Sequence, residues 1–404
     1  MDCTALEFPA TAADPVARRR PRFPISNRGE IMLQKVRIRG FKTIVDVTLE
    51  LGKFNVFVGP NGAGKTNLLE GIALLGAAAQ GQVEPDTLNA RGVRVTRTQQ
   101  RTLLRTSERR RTKIIIEAWA EGAFYEARLQ EPKTWSWSWN FARERLTENG
   151  EELAAREHNV GHLVLDRKTG DLVTIRPEHD RGIAPLVCAT RGEGPLSRLL
   201  RALDLFAIYS PHGSSPESMK GVLFDCAPEL QRERVVWRRI VDEVRRFAEW
   251  AEDVSDEGVS FTDRHLRRDA RWISTGAADD GTRLILYTIM LLLLPEGPSV
   301  LALENADHAL SPRLALRVAE RVQRILLDEP GRPQVLMVTQ RPEVLDALDL
   351  GDDRVRLFIV NRNKSGATEV GRVGYSDALA RCTKRGMTLS RLWLSGALGG
   401  MPNR

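Results

Sequence analysis

Cysteine is scarce in this chain of 404 residues, and the cysteines that are present lie far apart. There are four of them, Cys3, Cys188, Cys226 and Cys382. No two have the spacing of a metal-binding pair, which excludes a metal site built on paired cysteines. This sparse usage indicates a reducing compartment, and we expect a cytoplasmic protein.

Long apolar runs are also missing. The longest one, residues 284–294, is too short to cross a bilayer and is followed by Pro295. It predicts a buried helix, and we expect no membrane partner.

Residues 1–31 lack the apolar h-region of a secretory signal. They contain four prolines, three consecutive arginines and no periodic apolar face, so they predict a disordered leader, with a functional basic arm as the alternative.

Several catalytic and metal-binding patterns are absent as well. Ser210 and His212 suggest no hydrolase triad, because the chain has no G-x-S-x-G nucleophile elbow. His158 and His162 have i, i+4 spacing, but no carboxylate completes a known metal pattern, and we interpret both as surface histidines. The sequence shows no internal repeat and no heptads long enough for a coiled coil.

What the chain does contain is a phosphate-binding loop. Residues 59–66 read GPNGAGKT, the G-x-x-x-x-G-K-[ST] pattern, between an apolar strand-like run and a helix-like stretch. The glycines let backbone N–H groups face an anion at the helix N-terminus. Lys65 can reach the β- and γ-phosphates of ATP or GTP, and Thr66 can ligate Mg²⁺. We expect nucleotide contacts from Gly59, Asn61, Gly62, Gly64, Lys65, Thr66 and Asn67.

The rest of the chain predicts an α/β protein with a β-rich middle. Its composition, 42% hydrophobic and 28% charged, is that of a soluble globular protein, and the net charge of +7 suggests a polyanionic partner. Strands are predicted at 33–38, 54–58, 134–139, 162–175, 300–303, 335–338 and 354–360, with a hairpin at 114–130. Helices are predicted at 67–75, 228–252, 284–294 and 313–327.

A second half of a nucleotide site follows far along the chain. Four apolar residues, 300–303, lead into Glu304, which is a Walker B pattern whose carboxylate can hold Mg²⁺. Ring-forming AAA+ ATPases keep their two motifs closer together, whereas ABC-type ATPases insert a lobe between them. Residues 278–283, ADDGTR, fit the signature turn that would end such a lobe and cap a partner's ATP.

These segments resemble the RecF/SMC-like ABC ATPases and, within them, the OLD-type AAA proteins of bacterial defence systems. The resemblance rests on RIRGFKTIVDVTLELGKFNVFVGPNGAGKTNLLEGI, DDGTRLILYTIMLLL, VLALENADHALSPRL, VLMVTQRPEVLDAL and SRLWLSGALGG. It implies an ATPase core in two parts, 32–90 and 273–404, around an inserted lobe at 91–272. It also implies ATP and Mg²⁺ as cofactors, with Thr66 and Glu304 at the metal. Asp280, Gly281 and Thr282 of a second copy would close the site, so ATP would join a homodimer or higher oligomer. OLD proteins carry a TOPRIM nuclease domain after the ATPase, whereas this chain resembles the ATPase alone, which implies a separate nuclease or toxin as effector.

The chain departs from this family at the catalytic positions. The second acid of the Walker B strand, which polarises the attacking water, is replaced by Asn305. The switch histidine is replaced by Gln340, which can still donate a hydrogen bond to a γ-phosphate. Asp307 could substitute as the base, and the alternative is that Asn305 and Gln340 are neutral changes in an active enzyme. We expect an ATP-gated dimeric switch in anti-phage defence or DNA metabolism; a non-hydrolysing ATP-binding scaffold and a RecF-like DNA-repair ATPase are the alternatives.

A basic segment and a tryptophan stripe each have a nucleic-acid-binding interpretation and a simpler structural one. The segment 91–113, which begins at Arg91 and ends at Lys113, is strongly basic and could contact nucleic acid, although a solvated face would look the same. Trp135, Trp137 and Trp139 share one face of a predicted strand. Such a stripe could stack bases, but a core face is the more frequent explanation.

Overall fold

We describe the protein from a computed structural model. It describes residues 31–95, 113–131, 138–166, 171–190, 192–211, 233–254, 260–295, 297–376, 379, 381–382 and 386–399. The predicted leader lies outside these residues except for Ile31, whose side chain is buried in the core. Trp135, Trp137 and most of the basic segment 91–113 also lie outside them.

An eight-stranded antiparallel sheet contains the start of the chain and its β-rich middle. Its strands are β1 (Lys35–Phe41), β2 (Ile44–Glu50), β4 (Lys113–Ala120), β5 (Ala123–Gln130), β6 (Asn140–Glu148), β7 (Glu151–Glu157), β8 (Val160–Asp166) and β9 (Asp171–Ile175), in the order β2-β1-β4-β5-β6-β7-β8-β9. Alternate residues of β4 are buried, as expected for a sheet with one face on the core. The predicted hairpin at 114–130 is confirmed, with Glu121 and Gly122 at positive φ in its turn.

The six-stranded sheet is mostly parallel and carries the P-loop strand near its centre. Its strands are β3 (Phe54–Val58), β10 (Ile208–Tyr209), β14 (Val300–Glu304), β15 (Gln334–Val338), β16 (Val355–Arg362) and β17 (Thr368–Val373). Their order is β10-β14-β15-β3-β16-β17, and only β17 runs antiparallel to its neighbour. Every residue of β3 and β15 is buried, which is why these strands read as continuous apolar runs.

Helices cover both faces of the parallel sheet. They are α1 (Lys65–Ala79), α2 (Pro85–Asn89), α3 (Ala184–Thr190), α4 (Pro195–Asp204), α5 (Arg234–Arg245), α6 (Asp280–Leu293), α7 (Pro312–Asp328) and α8 (Leu389–Leu394), with a 3₁₀ helix at Pro342–Ala347. The helix α1 packs in a core shared with the antiparallel sheet, together with Phe57. The helices α5, α6 and α7 pack on the opposite face with Phe54, Val56 and Val58.

Two sequence predictions of elements need correction. Residues 228–232 of the helix predicted at 228–252 lie outside the described part of the chain, and the described part of that helix spans Arg234–Arg245, because the chain turns after Val244 and Ala251 begins a third, small sheet. That sheet is β11 (Ala251–Val254), β12 (Ser260–Asp263) and β13 (Trp272–Ser274). Its buried Ala251 continued the apolar period of the helix, so periodicity alone could not find the boundary. The strand predicted at 162–175 is instead the hairpin β8–β9. Trp139 precedes β6 and is buried, as the core interpretation requires.

Among the described residues, no helix combines the length and apolar character needed to cross a membrane. The predicted lobe at 91–272 shares its sheets with the rest of the chain: β4 pairs with β1, and β10 pairs with β14. The division at residues 90 and 273 stays a prediction.

Candidate functional site

The loop between β3 and α1 is shaped by its glycines and by two threonines from elsewhere in the chain. Gly62 and Gly64 have φ values of 76° and 107°, in the left-handed region that favours glycine. A Cβ on Gly64 would overlap the hydroxyl of Thr368. Glycine is therefore required at residue 64 for two reasons, backbone conformation and space.

Lys65 is folded into the loop that it belongs to. Its Nζ donates to the carbonyl oxygens of Gly59, at 2.7 Å, and Pro60, at 3.0 Å. Burial lowers the pKa of Lys65, and the negative charge of Glu304 acts in the opposite direction. The ammonium group therefore lies within the curl of the P-loop, where the phosphates of a nucleotide would bind.

Thr66 and Glu304 meet, although they lie on widely separated parts of the sequence. The Thr66 hydroxyl donates to Glu304 Oε1. The strand β14, which ends at Glu304, is separated from β3 by β15 in the sheet. Parallel pairing places the ends of these strands at one edge, so the P-loop and the Walker B carboxylate face the same space.

This hydroxyl and carboxylate are the donor types that Mg²⁺ prefers, and Mg²⁺ is usually held by one or two carboxylates plus water and phosphate. Within the described part of the chain, no group of three or more His, Cys, Asp or Glu side chains could hold a metal by itself. The pair fits an ion that arrives with a nucleotide. A permanently bound ion would need more protein ligands.

Two cations that the sequence analysis missed bind Glu70 of α1, the helix that follows the P-loop. Glu70 of α1 has no exposed surface and accepts hydrogen bonds from Lys42 Nζ, at 2.7 Å, and Arg94 Nε, at 2.9 Å. The pKa of Lys42 is lowered, chiefly by burial, whereas that of Arg94 is raised, chiefly by its hydrogen bond to Glu70. Glu304 raises both values through its charge, so both cations lie in the electrostatic range of the Walker B carboxylate.

A chain of side-chain hydrogen bonds supports the loop from outside. Asn67 Nδ2 donates to Thr43 Oγ1 at 2.7 Å, and the hydroxyls of Thr43 and Thr368 are 2.7 Å apart. Thr368 Oγ1 donates in turn to the carbonyl oxygen of Ala63, at 3.0 Å. Asn67, predicted to contact nucleotide, is thus engaged with the β1–β2 turn. Asn61, also predicted to contact nucleotide, is exposed.

Asn305, the residue that follows the Walker B strand, has an unusual backbone conformation. Asn305 has a φ of 54°, a left-handed conformation that asparagine tolerates better than most residues. Its N–H donates to the Val338 carbonyl at 3.2 Å. A backbone requirement therefore favours asparagine here, independently of any catalytic role. The sequence pattern contains no signal of this conformation.

Asp307 and Gln340 occupy the segments that follow β14 and β15. Asp307 is buried and accepts a hydrogen bond from Thr339 Oγ1. Its pKa is raised, chiefly by burial, while the Thr339 hydrogen bond opposes the shift. Gln340 is exposed between Thr339 and Arg341, and the Arg341 guanidinium donates to the His308 carbonyl at 2.6 Å. Within the described residues, neither Asp307 nor Gln340 hydrogen-bonds to the P-loop.

The predicted signature turn begins α6. Asp279 caps this helix, and its carboxylate accepts a hydrogen bond from the Thr282 N–H at 2.8 Å. Asp280 is exposed and forms an ion pair with Arg283. Gly281 is buried, and a Cβ there would lie 3.3 Å from the carbonyl oxygen of Ala309. The turn packs on the loop after the Walker B strand of its own chain, and no hydrogen bond in the described part of the chain joins it to the P-loop.

The basic segment 91–113 is described only at its ends. Arg91 is buried and donates to Asp204, and Arg94 binds Glu70, so these two side chains have internal partners. Lys113 begins β4 and is exposed. Residues 96–112 lie outside the described part, and their contact with nucleic acid stays a prediction.

Comparisons with known proteins identify the family and the fold of this chain. Residues 54–346 match a family model described as "AAA domain, putative AbiEii toxin, Type IV TA system". A comparison with curated proteins gives no match. The fold is similar to the Smc head domain of Pyrococcus furiosus, solved with an extended coiled coil and bound to the C-terminal domain of ScpA. The TM-score is 0.51 at 12% identity, covering 88% of this chain and 100% of that one.

Another solved structure, the Smc head domain of Thermotoga maritima, is matched at a TM-score of 0.37 and 16% identity, covering 85% of this chain and 99% of that one. The family match includes the P-loop, the signature turn and the Walker B strand. The chain therefore belongs to this AAA family, and it has the α/β fold of an SMC-head-like P-loop ATPase.

Proposed function

We propose that this protein is an ATP-gated dimeric switch that binds ATP with Mg²⁺ and turns it over slowly. The observation that carries the proposal is the hydrogen bond between Thr66 and Glu304. It joins the two motifs of the site in one place, with Lys65 inside the same loop. Families with this fold generally use ATP and Mg²⁺.

Binding requires the P-loop side chains to change partners. Lys65 would leave the carbonyls of Gly59 and Pro60 for the phosphates, while the N–H groups of residues 62–66 face the same anion. Thr66 and Glu304 would separate and hold Mg²⁺ between them. When bound, Mg²⁺ neutralises charge on the β- and γ-phosphates. Lys42 and Arg94 would add positive charge at the edge of the site.

Assembly would come from the signature turn of a second copy. Thr282 lies in the first turn of α6, next to Asp280. The positive end of this helix would meet the γ-phosphate of a partner's ATP once the Thr282 N–H leaves the Asp279 carboxylate. ATP would therefore favour a closed dimer, and loss of the γ-phosphate would release it. The family description supports a separately encoded effector of the nuclease or toxin class, and we place the switch in anti-phage defence or DNA metabolism.

A non-hydrolysing scaffold is the second candidate, because Asn305 stands where a base is expected. An amide cannot accept a proton from water at neutral pH, and Asp307 is occupied by Thr339. On this alternative, binding alone would drive assembly, and dissociation of ATP would reset it. Measured turnover separates the two candidates.

Nucleotide binding and light scattering on the same samples test the proposal. Wild-type protein should bind ATP–Mg²⁺ and increase in mass, and Glu304→Gln should weaken only the Mg²⁺-dependent part of binding. Gly281→Leu should bind ATP with unchanged affinity but fail to assemble, because a side chain at residue 281 would crowd the turn expected to cap the partner's nucleotide, where a Cβ would already lie 3.3 Å from the Ala309 carbonyl oxygen; circular dichroism checks that this variant folds. A mass that does not respond to ATP in the wild-type protein would contradict the gated dimer.

A further inference from the structure

The small sheet before the signature helix carries a basic surface that the nucleotide site does not use. The turn between β12 and β13, with the first residue of β13, reads RHLRRDARW at 264–272. We call these residues the arginine turn. It contains four arginines and one aspartate, a net charge of +3 with histidine neutral. Every one of its residues is exposed except Arg271, which is half-buried.

The charges of the arginine turn are only partly compensated. Arg267 lies 3.2 Å from Asp269, and Arg271 lies 3.6 Å from Glu252, both in exposed ion pairs of the kind that contributes little. Within the described part of the chain, Arg264 and Arg268 have no carboxylate at ion-pair distance. The turn therefore presents positive charge that an anionic partner could use.

An exposed tryptophan accompanies these arginines. Trp272 is 55% exposed, because it begins β13 on the solvent side while the next residue, Ile273, packs against the core. The Arg271 guanidinium lies 5.8 Å from its ring centroid. Leu266, on the same turn, is 46% exposed. A large aromatic ring that is exposed and flanked by arginine has the arrangement on which a nucleic-acid base can stack.

The turn is held by hydrogen bonds to the sheet beneath it. The Arg264 N–H donates to the Trp250 carbonyl at 3.0 Å, and the His265 N–H donates to Asp263 Oδ1 at 2.8 Å. The Ala270 N–H donates to the Arg267 carbonyl at 2.9 Å. The rings of Trp250 and Phe261 pack together below, with centroids 5.5 Å apart. The arginines and Trp272 are thus displayed by a supported structure.

We propose that the arginine turn binds single-stranded nucleic acid, with its arginines on phosphates and Trp272 stacked on a base. An acidic peptide such as polyglutamate would use the charge but has no ring that could stack on the tryptophan as a base does. Duplex DNA would use the charge as well, but its bases are already stacked on one another. Only residues 275–278 connect β13 to Asp279, so the proposed nucleic-acid site is close in sequence to the signature turn.

Fluorescence anisotropy with a labelled oligothymidylate and with a duplex, in the absence of ATP, tests this assignment. Arg267→Glu/Arg268→Glu should weaken single-strand binding at least about tenfold and lower its salt dependence, by roughly 0.7 in the log–log slope per lost phosphate contact. Trp272→Ala should weaken single-strand binding about tenfold and change duplex binding little. Trp272→Phe should restore most of that loss.

The matched control is Arg176→Glu/Arg324→Glu, which makes the same change in net charge at exposed arginines on other elements. It should leave binding within about twofold of wild type. Equal loss in this control would overturn the proposal. So would a wild-type protein that binds neither oligonucleotide, or that binds only polyglutamate with the same sensitivity to Arg267→Glu/Arg268→Glu. Because all variants keep the P-loop, unchanged ATP binding separates failure here from failure of the proposed function.

Discussion

Two regions of the site lie at the ends of strands of one parallel sheet. One is the P-loop with Glu304, which is expected to bind the phosphates. The other is the pair of segments after β14 and β15, which are expected to carry hydrolysis. On the binding side, Thr66 hydrogen-bonds to Glu304, and Lys65 hydrogen-bonds to the carbonyl oxygens of its own loop. On the hydrolysis side, Asn305 holds a left-handed turn and Asp307 is buried against Thr339. The two residues expected to hold Mg²⁺ are therefore in contact, whereas the residues at the expected catalytic positions are engaged in the local structure.

The largest effect is expected from Lys65→Ala, which removes the only P-loop side chain that can place a positive charge among the phosphates. Charge-assisted hydrogen bonds of this kind contribute about 1.5–3 kcal/mol each, so affinity for ATP should fall at least about 100-fold. Equilibrium dialysis with labelled ATP measures it, and circular dichroism checks the fold. Undiminished affinity for ATP in a folded variant would contradict the assignment of residues 59–66 as the phosphate-binding loop.

Asn305→Glu should give the next largest effect, on turnover. A general base contributes about 10²–10⁴-fold, so a carboxylate at residue 305 should raise the single-turnover rate by tenfold or more. Forcing glutamate into the left-handed conformation should also cost about 1–2 kcal/mol of stability. The matched control is Asn305→Gly, which suits the backbone without supplying a carboxylate and should leave the rate unchanged.

Asp307→Asn tests whether Asp307 is a structural residue or the general base for ATP hydrolysis. If Asp307 serves the local structure, the rate should stay within about threefold of wild type, since an amide oxygen can still accept the Thr339 hydrogen bond. If Asp307 is the base, turnover should fall about 10²-fold or more and Asn305→Glu should change little.

The same variant should alter the pH dependence of stability. The pKa of Asp307 is raised in the folded state, so its contribution to stability is present at low pH. That contribution is lost as pH rises from the ordinary aspartate pKa through the raised one. Asp307→Asn has no proton to lose and should not show this decline. Urea denaturation across the acidic range compares the two proteins, and parallel curves would contradict the burial of an ionisable carboxyl.

The smallest effect on ATP binding is expected from Thr368→Val, which keeps the shape of the side chain but removes its hydroxyl. The loop would lose hydrogen bonds to Ala63 and Thr43, at about 1 kcal/mol each. ATP affinity should fall by roughly three- to tenfold, because the loop is less well ordered before binding. Thermal unfolding and ATP titration follow both quantities, and an unchanged affinity would remove Thr368 from the account.

The sequence predicted what local pattern encodes. The P-loop with its flanking strand and helix, the hairpin at Glu121-Gly122 and the strand before Glu304 all follow from contiguous residues, and the structure has them. Helix α5 was predicted too long because Ala251 keeps the helical period while belonging to β11.

The rest of the site depends on contacts between distant parts of the chain. Thr43 and Thr368 are 325 residues apart in sequence, and only the fold joins them. Glu70, Lys42 and Arg94 likewise come from three separate segments, and a buried acid on an apolar helix leaves no local pattern. The conformation of Asn305 was equally invisible, so its replacement of an acid suggested lost catalysis alone and gave no sign of a backbone role.

Single-turnover hydrolysis of ATP–Mg²⁺ by the wild-type protein, in a preparation whose ATP binding is known, tests the central claim most directly. The account predicts saturable binding that requires Lys65, together with turnover that is slow and that Asn305→Glu accelerates. Fast wild-type turnover that neither Asn305→Glu nor Asp307→Asn changes would contradict it, and Glu304 would then need a role other than holding Mg²⁺.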